Sequence, residues 1–147
     1  MYQRILIPTD GSAISRKAVK HGIALAKSLG ASVVAFFAPE DYRAIMYTEY
    51  MPAAMLSQDE FEAQAKKAAD KQLLFVQKAA DAAGIACETY WTTSVAPWEA
   101  IIEAARKKRC DLICMGSHGR TGLAGLVLGS TTTKVLTHTK VPVLVTR

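Results

Sequence analysis

The chain has 147 residues, of which half are hydrophobic and 21% are charged, the composition of an ordinary globular protein. This length suffices for one domain with its own core, and no apolar run approaches the roughly 20 residues of a membrane span. The three cysteines are an odd number, and the N-terminus lacks a signal-peptide pattern. We therefore expect a cytoplasmic protein with buried thiols, no disulfide framework and no membrane partner.

The excess of basic residues, a formal net charge of +5, is spread along the chain. Its densest run, at 106–109, falls at the end of a predicted helix, where the helix dipole favours cations. Although basic charge can indicate a nucleic-acid partner, this scattered distribution does not, and we expect none.

Strand and helix patterns alternate along the first half of the chain. An apolar strand at 4–9 precedes a helix that begins after Ser12, a typical N-cap residue, and ends before Gly30. The continuous apolar run at 32–38 is typical of a parallel strand covered on both faces. Residues 39–56 show no steady period, so we predict an irregular excursion that could include a short helix.

The second half continues the alternation. Ser57 and Glu60 fit a capping box at the start of a long helix, which Gly84 closes. The strand at 85–93 alternates in hydrophobicity, which favours a place at a sheet edge. The remaining elements are a helix opened by Pro97, a strand at 111–115, a helix from Ser130 and a strand at 141–145.

No repeat, linker or low-complexity tract divides the chain. Strands that alternate with helices form a parallel sheet with right-handed crossovers. We therefore predict one α/β domain over residues 1–147, which binds its ligand beyond the carboxyl ends of the strands, where the strand order reverses.

The segment from Gly116 to Ser130 is the most informative stretch, because it leaves a buried strand and enters a helix. Gly116 allows a sharp turn, and Gly119 allows the backbone to approach a ligand. At Gly129 and Ser130 the free N–H groups of the helix start favour an anion, and Arg120 adds a cation. The segment predicts a phosphate cradle without the lysine of the common P-loop. Glycines alone also fit a flexible surface loop that ends in a helix cap.

The spacing Gly116-x2-Gly119-x9-Gly129-Ser130 resembles the ATP-binding signature of the universal stress protein family. The resemblance covers the whole chain, including Pro8–Ser12, Asp111–Ile113 and Val141–Val145. It implies a Rossmann-like, adenine nucleotide alpha-hydrolase-like fold, in which a five-stranded parallel sheet of order 3-2-1-4-5 has helices on both faces. It also implies ATP as the ligand, with or without Mg²⁺, and a nucleotide-dependent switch or sensor in the stress response.

The site residues that this resemblance implies lie at strand ends or in the glycine segment. They are Pro8, Thr9, Asp10, Ala38, Met115, Gly116, Ser117, His118, Gly119, Arg120, Gly129, Ser130 and Thr131. Asp10 would contact adenosine, and the backbone of Ala38 would meet the adenine edge. Met115 and Gly116 would lie near the ribose. The phosphates would contact Gly119, Arg120, Gly129, Ser130 and Thr131.

Several alternatives stay open at this point. Asp10 also fits a helix-capping turn, and His118 fits a loop hydrogen bond as well as a phosphate contact or a proton shuttle. No Ser-His-Asp order indicates a hydrolytic centre, which favours a binding protein. A slow ATPase or a nucleotide-processing enzyme of the same fold is the alternative. The apolar closing strand at 141–145 predicts a sheet edge that pairs with a second copy of the chain in a homodimer.

Overall fold

The computed structural model of the chain describes residues 1–41, 57–119 and 128–147. The strands in these ranges are β1 (Arg4–Pro8), β2 (Ser32–Phe37), β3 (Cys87–Trp91), β4 (Leu112–Gly116) and β5 (Val143–Thr146). The helices are α1 (Ala13–Leu29), α2 (Gln58–Ala83), α3 (Pro97–Lys107) and α4 (Ser130–His138). Most of the predicted excursion at 39–56 lies outside the described residues.

The five strands form one parallel sheet in the order β3-β2-β1-β4-β5. This confirms the predicted order 3-2-1-4-5 and the edge positions of the third and fifth strands. The chain builds outward from β1 to β3 on one side and then crosses to β4 on the other. A crevice therefore opens between the carboxyl ends of β1 and β4, where such sheets bind ligands.

Helices cover both faces of the sheet, as predicted. On one face, α1 and α2 pack against alternate residues of the central strands, such as Ile5 and Val33. On the other, α3 and Val135 of α4 pack against the intervening residues, such as Leu6 and Val34. This double coverage explains the continuous apolar runs, since fully burying each large side chain contributes about 1.5–3 kcal/mol.

The predicted helix ends are confirmed by their capping contacts. The Ser12 hydroxyl accepts a backbone N–H at the start of α1, at 3.2 Å. Ser57 and Glu60 cap each other at the start of α2. Gly30 and Gly84 follow the two helices with φ values of 66° and 73°, in the left-handed region that favours glycine.

The closing strand differs from its prediction in position. It was predicted at 141–145, whereas β5 comprises Val143–Thr146. Pro142 has no N–H to donate to the ladder, although its carbonyl accepts from a β4 N–H at 2.9 Å, and the strand begins after it. Within β5, Leu144 is 39% exposed and its two neighbours are half-buried, so the two sides of the strand are not equivalent.

The thiols are free, and two of the three are buried, which confirms the prediction for Cys110 and Cys114; Cys87 is half-buried. Burial raises the pKa of Cys110 and of Cys114 to about 11, so neither thiol is a nucleophile near neutral pH. Within the described ranges, every helix is too short or too polar to cross a lipid bilayer.

Candidate functional site

A cavity of about 670 Å³ opens at the carboxyl edge of the sheet. The ends of β1, β2 and β4 and the N-terminal parts of α2, α3 and α4 contribute to its lining. The predicted site residues that line it are Pro8, Thr9, Asp10, Ala38, Met115, Gly116, His118, Gly119, Gly129, Ser130 and Thr131. The fold thus brings together all but two of the residues that the sequence indicated.

Ser117, one of the remaining two, lies behind the cavity rather than in its lining. It is fully buried, its N–H donates to the Thr146 carbonyl at 2.8 Å, and its carbonyl accepts the Gly129 N–H at 2.7 Å. Its hydroxyl lies 2.9 Å from Nδ1 of His118. Ser117 therefore supports the histidine that lines the cavity. Arg120, the other residue, lies outside the described residues.

The first turn of α4 meets the cavity without a side-chain cap. Gly129, at the N-cap position, offers no side-chain acceptor, and the turn contains no acidic residue. In contrast, α1 is capped by Ser12 and α2 by Ser57. A hydrogen bond fixes this helix start beside β4, because the Thr132 hydroxyl donates to the carbonyl of Gly116, the last residue of β4, at 2.9 Å. The N–H groups at the positive end of the dipole therefore form a favourable place for an anion.

Among the described glycines of the segment, Gly116 and Gly129 are required by packing within the protein itself, a reason that the sequence did not reveal. A Cβ on Gly116 would lie 2.7 Å from a side-chain carbon of α1, and one on Gly129 would lie 2.9 Å from Cα of His118. A Cβ on Gly119 would lie 2.6 Å from Oδ2 of Asp10. The glycine segment and the turn between β1 and α1 therefore approach each other closely.

Asp10 combines a helix-capping turn with a place in the cavity. Its Oδ1 accepts the Ser12 N–H at 2.9 Å, which is the turn that the sequence offered as an alternative role. Its Oδ2 lies on the side of Gly119, and the side chain is half-buried in the cavity lining. The turn and the cavity position are thus compatible, because the carboxylate uses its two oxygens in different directions.

Few groups in the cavity suit a metal held by the protein alone. Among the described residues, histidine, cysteine and carboxylate side chains form no cluster of three or more. The carboxylates in the cavity lining are those of Asp10 and Glu40. A cation at this site would consequently need ligands from a bound molecule as well.

The sequence did not reveal the wall that α2 contributes through Phe61, Gln64, Ala65 and Ala68. With 26 residues, α2 is about 39 Å long, whereas the six residues of β2 span about 20 Å. The N-terminal part of α2 therefore extends past the carboxyl edge of the sheet and flanks the cavity. The length of this helix relative to the strands was the available signal.

Comparison with known proteins identifies relatives over the whole chain. The sequence profile of the universal stress protein family matches residues 1–147. Universal stress protein MJ0531 of Methanocaldococcus jannaschii is 35% identical over 147 residues, covering 100% of this chain and 83% of that protein. Universal stress protein MJ0577 of the same organism is 32% identical over 157 aligned positions, covering 100% of this chain and 96% of that protein.

Solved structures agree with the sequence comparisons. The structure of MJ0577 superposes with a TM-score of 0.82 and 28% identity, covering 99% of this chain and 95% of that one. A universal stress protein solved in complex with cAMP superposes with a TM-score of 0.69 and 27% identity, covering 99% and 97%. Since the family profile, the sequence relatives and the fold coincide along its length, the chain belongs to the universal stress protein family.

Proposed function

We propose that the protein binds ATP in the cavity and acts as a cytoplasmic, nucleotide-dependent switch or sensor in the stress response, with little or no hydrolysis. The observation that carries this proposal is that Gly119, His118 and the uncapped first turn of α4 line one cavity, an arrangement that would suit a phosphate chain. The cAMP complex of a universal stress protein with the same fold supports an adenine nucleotide as the ligand class.

The phosphates would bind at the start of α4. Ser130 and Thr131 offer backbone N–H groups and hydroxyls, and Gly119 offers a backbone without a Cβ. The Gly129 N–H is already donated to Ser117, so the contribution of Gly129 is the absence of a side chain. We retain Arg120 as a predicted phosphate contact.

Adenosine would occupy the part of the cavity that β2 lines. Phe36, Phe37 and Met115 supply apolar surface there, and the backbone of Ala38 would meet the adenine edge. The Asp10 carboxylate would accept hydrogen bonds from adenosine. It lies in the cavity lining between Pro8 and Thr9 on one side and the glycine segment on the other. A volume of about 670 Å³ is suitable for such a ligand, since small-molecule sites commonly have about 300–1,000 Å³.

Mg²⁺ would be bound mainly through the phosphates of the nucleotide. Asp10 approaches the cradle at Gly119 and can supply one carboxylate oxygen. This fits the usual arrangement in which Mg²⁺ takes one or two carboxylates, substrate phosphates and water. The ion would neutralise phosphate charge beside the carboxylate.

Calorimetric titration with ATP, ADP, AMP and cAMP tests the proposal. We expect ATP to bind most tightly, because only ATP carries all the phosphates that the cradle can contact. Mass spectrometry of nucleotide released from the purified, denatured protein provides a second measurement. Tighter binding of AMP or cAMP than of ATP would contradict the phosphate cradle.

A slow ATPase is the second candidate, and the presence of His118 in the cavity lining favours it. We nevertheless expect turnover well below about 1 s⁻¹, a low value for enzymes, because the motif lacks a P-loop lysine. Phosphate release from ATP measured over hours tests this expectation. Steady turnover near that rate that disappears in His118→Ala would identify an enzyme instead.

We further propose a homodimer in which β5 pairs with its own copy. β5 is an edge strand of the sheet, and Leu144 is exposed on it. An apolar edge strand invites pairing, and a two-fold axis beside it would align the two copies antiparallel. The single proline before the strand permits such pairing, because it removes only one donor.

A further inference from the structure

The hydroxyl of Ser117 has one hydrogen-bond contact among the described residues. Ser117 is fully buried, and its Oγ lies 2.9 Å from Nδ1 of His118. A buried hydroxyl hydrogen without an acceptor is unfavourable, because it has lost its water without replacement. The hydrogen is therefore directed at Nδ1, and Ser117 is the donor.

This direction determines where the histidine carries its own proton. A neutral imidazole has one N–H, so an Nδ1 that accepts a hydrogen bond leaves the hydrogen on Nε2. Nε2 makes no hydrogen bond within the described ranges, and His118 lines the cavity with Gly129 and Ser130. The backbone that carries the ring is fixed, because Ser117 is hydrogen-bonded through both of its backbone groups and Gly129 lies so close that a Cβ on it would be 2.9 Å from the histidine Cα and Cβ.

We infer that Ser117 is a positioning residue that holds His118 in its Nε2–H form, so that the cavity presents a hydrogen-bond donor to the phosphate chain. The inference rests on the proposed ATP site and deepens it. An Nε2–H group donates to a phosphate oxygen but cannot take a proton from an attacking water. The same contact therefore favours binding and opposes the use of His118 as a general base.

Nitrogen-15 NMR of the imidazole rings in the nucleotide-free, full-length protein tests the inference directly. At about pH 8 we expect the His118 proton on Nε2. His138 supplies an internal reference for the opposite form, because its Nδ1 lies 2.8 Å from the Lys134 carbonyl, which can only accept. A His118 ring protonated on Nδ1 would overturn the inference, whether or not ATP binds.

The variant Ser117→Ala separates positioning from a merely structural role. We expect it to lower the share of the Nε2–H form toward that of an unrestrained imidazole and to bind ATP roughly tenfold more weakly, about the effect of one hydrogen bond to a charged group. AMP binding should change less, because AMP lacks the outer phosphates. Weaker ATP binding with an unchanged His118 tautomer would contradict the inference.

A pair of substitutions at His118 keeps the test available if Ser117→Ala does not fold. A glutamine amide can donate from near the place of Nε2, whereas the shorter asparagine cannot reach it. We expect His118→Gln to retain ATP affinity within about threefold and His118→Asn to lose about tenfold. Equal losses of ATP affinity in the two variants would overturn the inference. A wild-type protein that binds no ATP would refute the proposed function, and the NMR measurement of the His118 tautomer would then decide the inference by itself.

Discussion

Polar groups lie at both ends of the strands, which we call the amino edge and the carboxyl edge of the sheet, but they differ in their hydrogen bonds. At the amino edge, Glu88 of β3 accepts hydrogen bonds from Arg4 and from Lys108, the latter at 2.5 Å. Asp111 there accepts two backbone N–H groups, at 2.8 and 2.9 Å. At the carboxyl edge, the first turn of α4 has no side-chain cap, and Nε2 of His118 has no hydrogen-bond partner within the described ranges.

The pairing at the amino edge lowers the pKa of its carboxyl groups. The hydrogen bond from Lys108 holds the pKa of Glu88 below its ordinary value. Burial acts to raise the pKa of Asp111, but the N–H groups of Arg4 and Gln3 outweigh it, and the pKa lies below its usual range. The carboxylates at the amino edge are thus paired within the fold, whereas at the carboxyl edge the first turn of α4 and Nε2 of His118 keep hydrogen-bonding capacity within the described ranges, as the proposed site requires.

The substitution Gly119→Val should give the largest change in affinity. Its Cβ would meet Oδ2 of Asp10 and occupy the cradle, so we expect ATP binding to weaken at least tenfold, about 1.4 kcal/mol. Because Gly119 is exposed, the free energy of unfolding should change little. Calorimetry and urea denaturation measure the two quantities, and unchanged affinity would contradict the cradle.

Asp10→Ala should weaken ATP binding by up to about tenfold and reduce stability by only about 1 kcal/mol, the value of one turn hydrogen bond. Asp10→Asn is the matched control, because its amide oxygen can still accept the Ser12 N–H while the charge is lost. A double-mutant cycle with Gly119→Val measures whether the two residues act together. A loss of several kcal/mol of stability with full ATP affinity would make Asp10 purely structural.

Leu144→Glu tests a third part of the sheet, the outer side of the edge strand β5, which we propose as the dimer interface. We expect light scattering to give about twice the 15.9 kDa mass of one chain for the wild type and the single-chain mass for this variant. Leu136→Glu on α4 is the control, since both leucines are 39% exposed. A wild-type protein with the mass of one chain, or equal behaviour of the two variants, would refute pairing through β5.

Glu88→Gln should give the smallest effect, a stability loss below about 1 kcal/mol, because the side chain is 40% exposed and solvent screens its pairs. Since the folded-state pKa of Glu88 is lowered, its contribution is present above the ordinary glutamate pKa of about 4.3 and disappears as the pH falls through the folded value. Urea denaturation at neutral and acid pH checks this. A change in ATP affinity would contradict the division between the two edges.

The sequence predicted the fold well because its strongest signals are local. The capping box at Ser57, the glycines that end α1 and α2, and the covered apolar runs each act over a few residues and agree with one another. The sequence also indicated most residues of the cavity lining, because strand ends in such sheets meet at one edge.

The features that the sequence missed depend on contacts between distant segments. The approach of Gly119 to Asp10 joins residues that are far apart in the chain, and the close approach of Gly129 to the backbone of His118 makes that glycine a packing requirement as well as a predicted ligand contact. The support of His118 by Ser117 depends on a side-chain orientation that no pattern encodes. The start of β5 depends on a proline whose carbonyl pairs although its nitrogen cannot donate.

The hydrogen bonds at the two ends of the glycine segment have a consequence for protein engineering. Ser117 is bonded to Gly129, and the Thr132 hydroxyl is bonded to the end of β4, so the ends of the intervening segment are closed by residues outside it. Lengthening a segment with fixed ends is inexpensive, since doubling its length costs only about 0.6 kcal/mol in closure entropy. An insertion into this segment after Gly119 should therefore leave β4 and α4 in place, because the hydrogen bonds that close the segment join residues at its two ends.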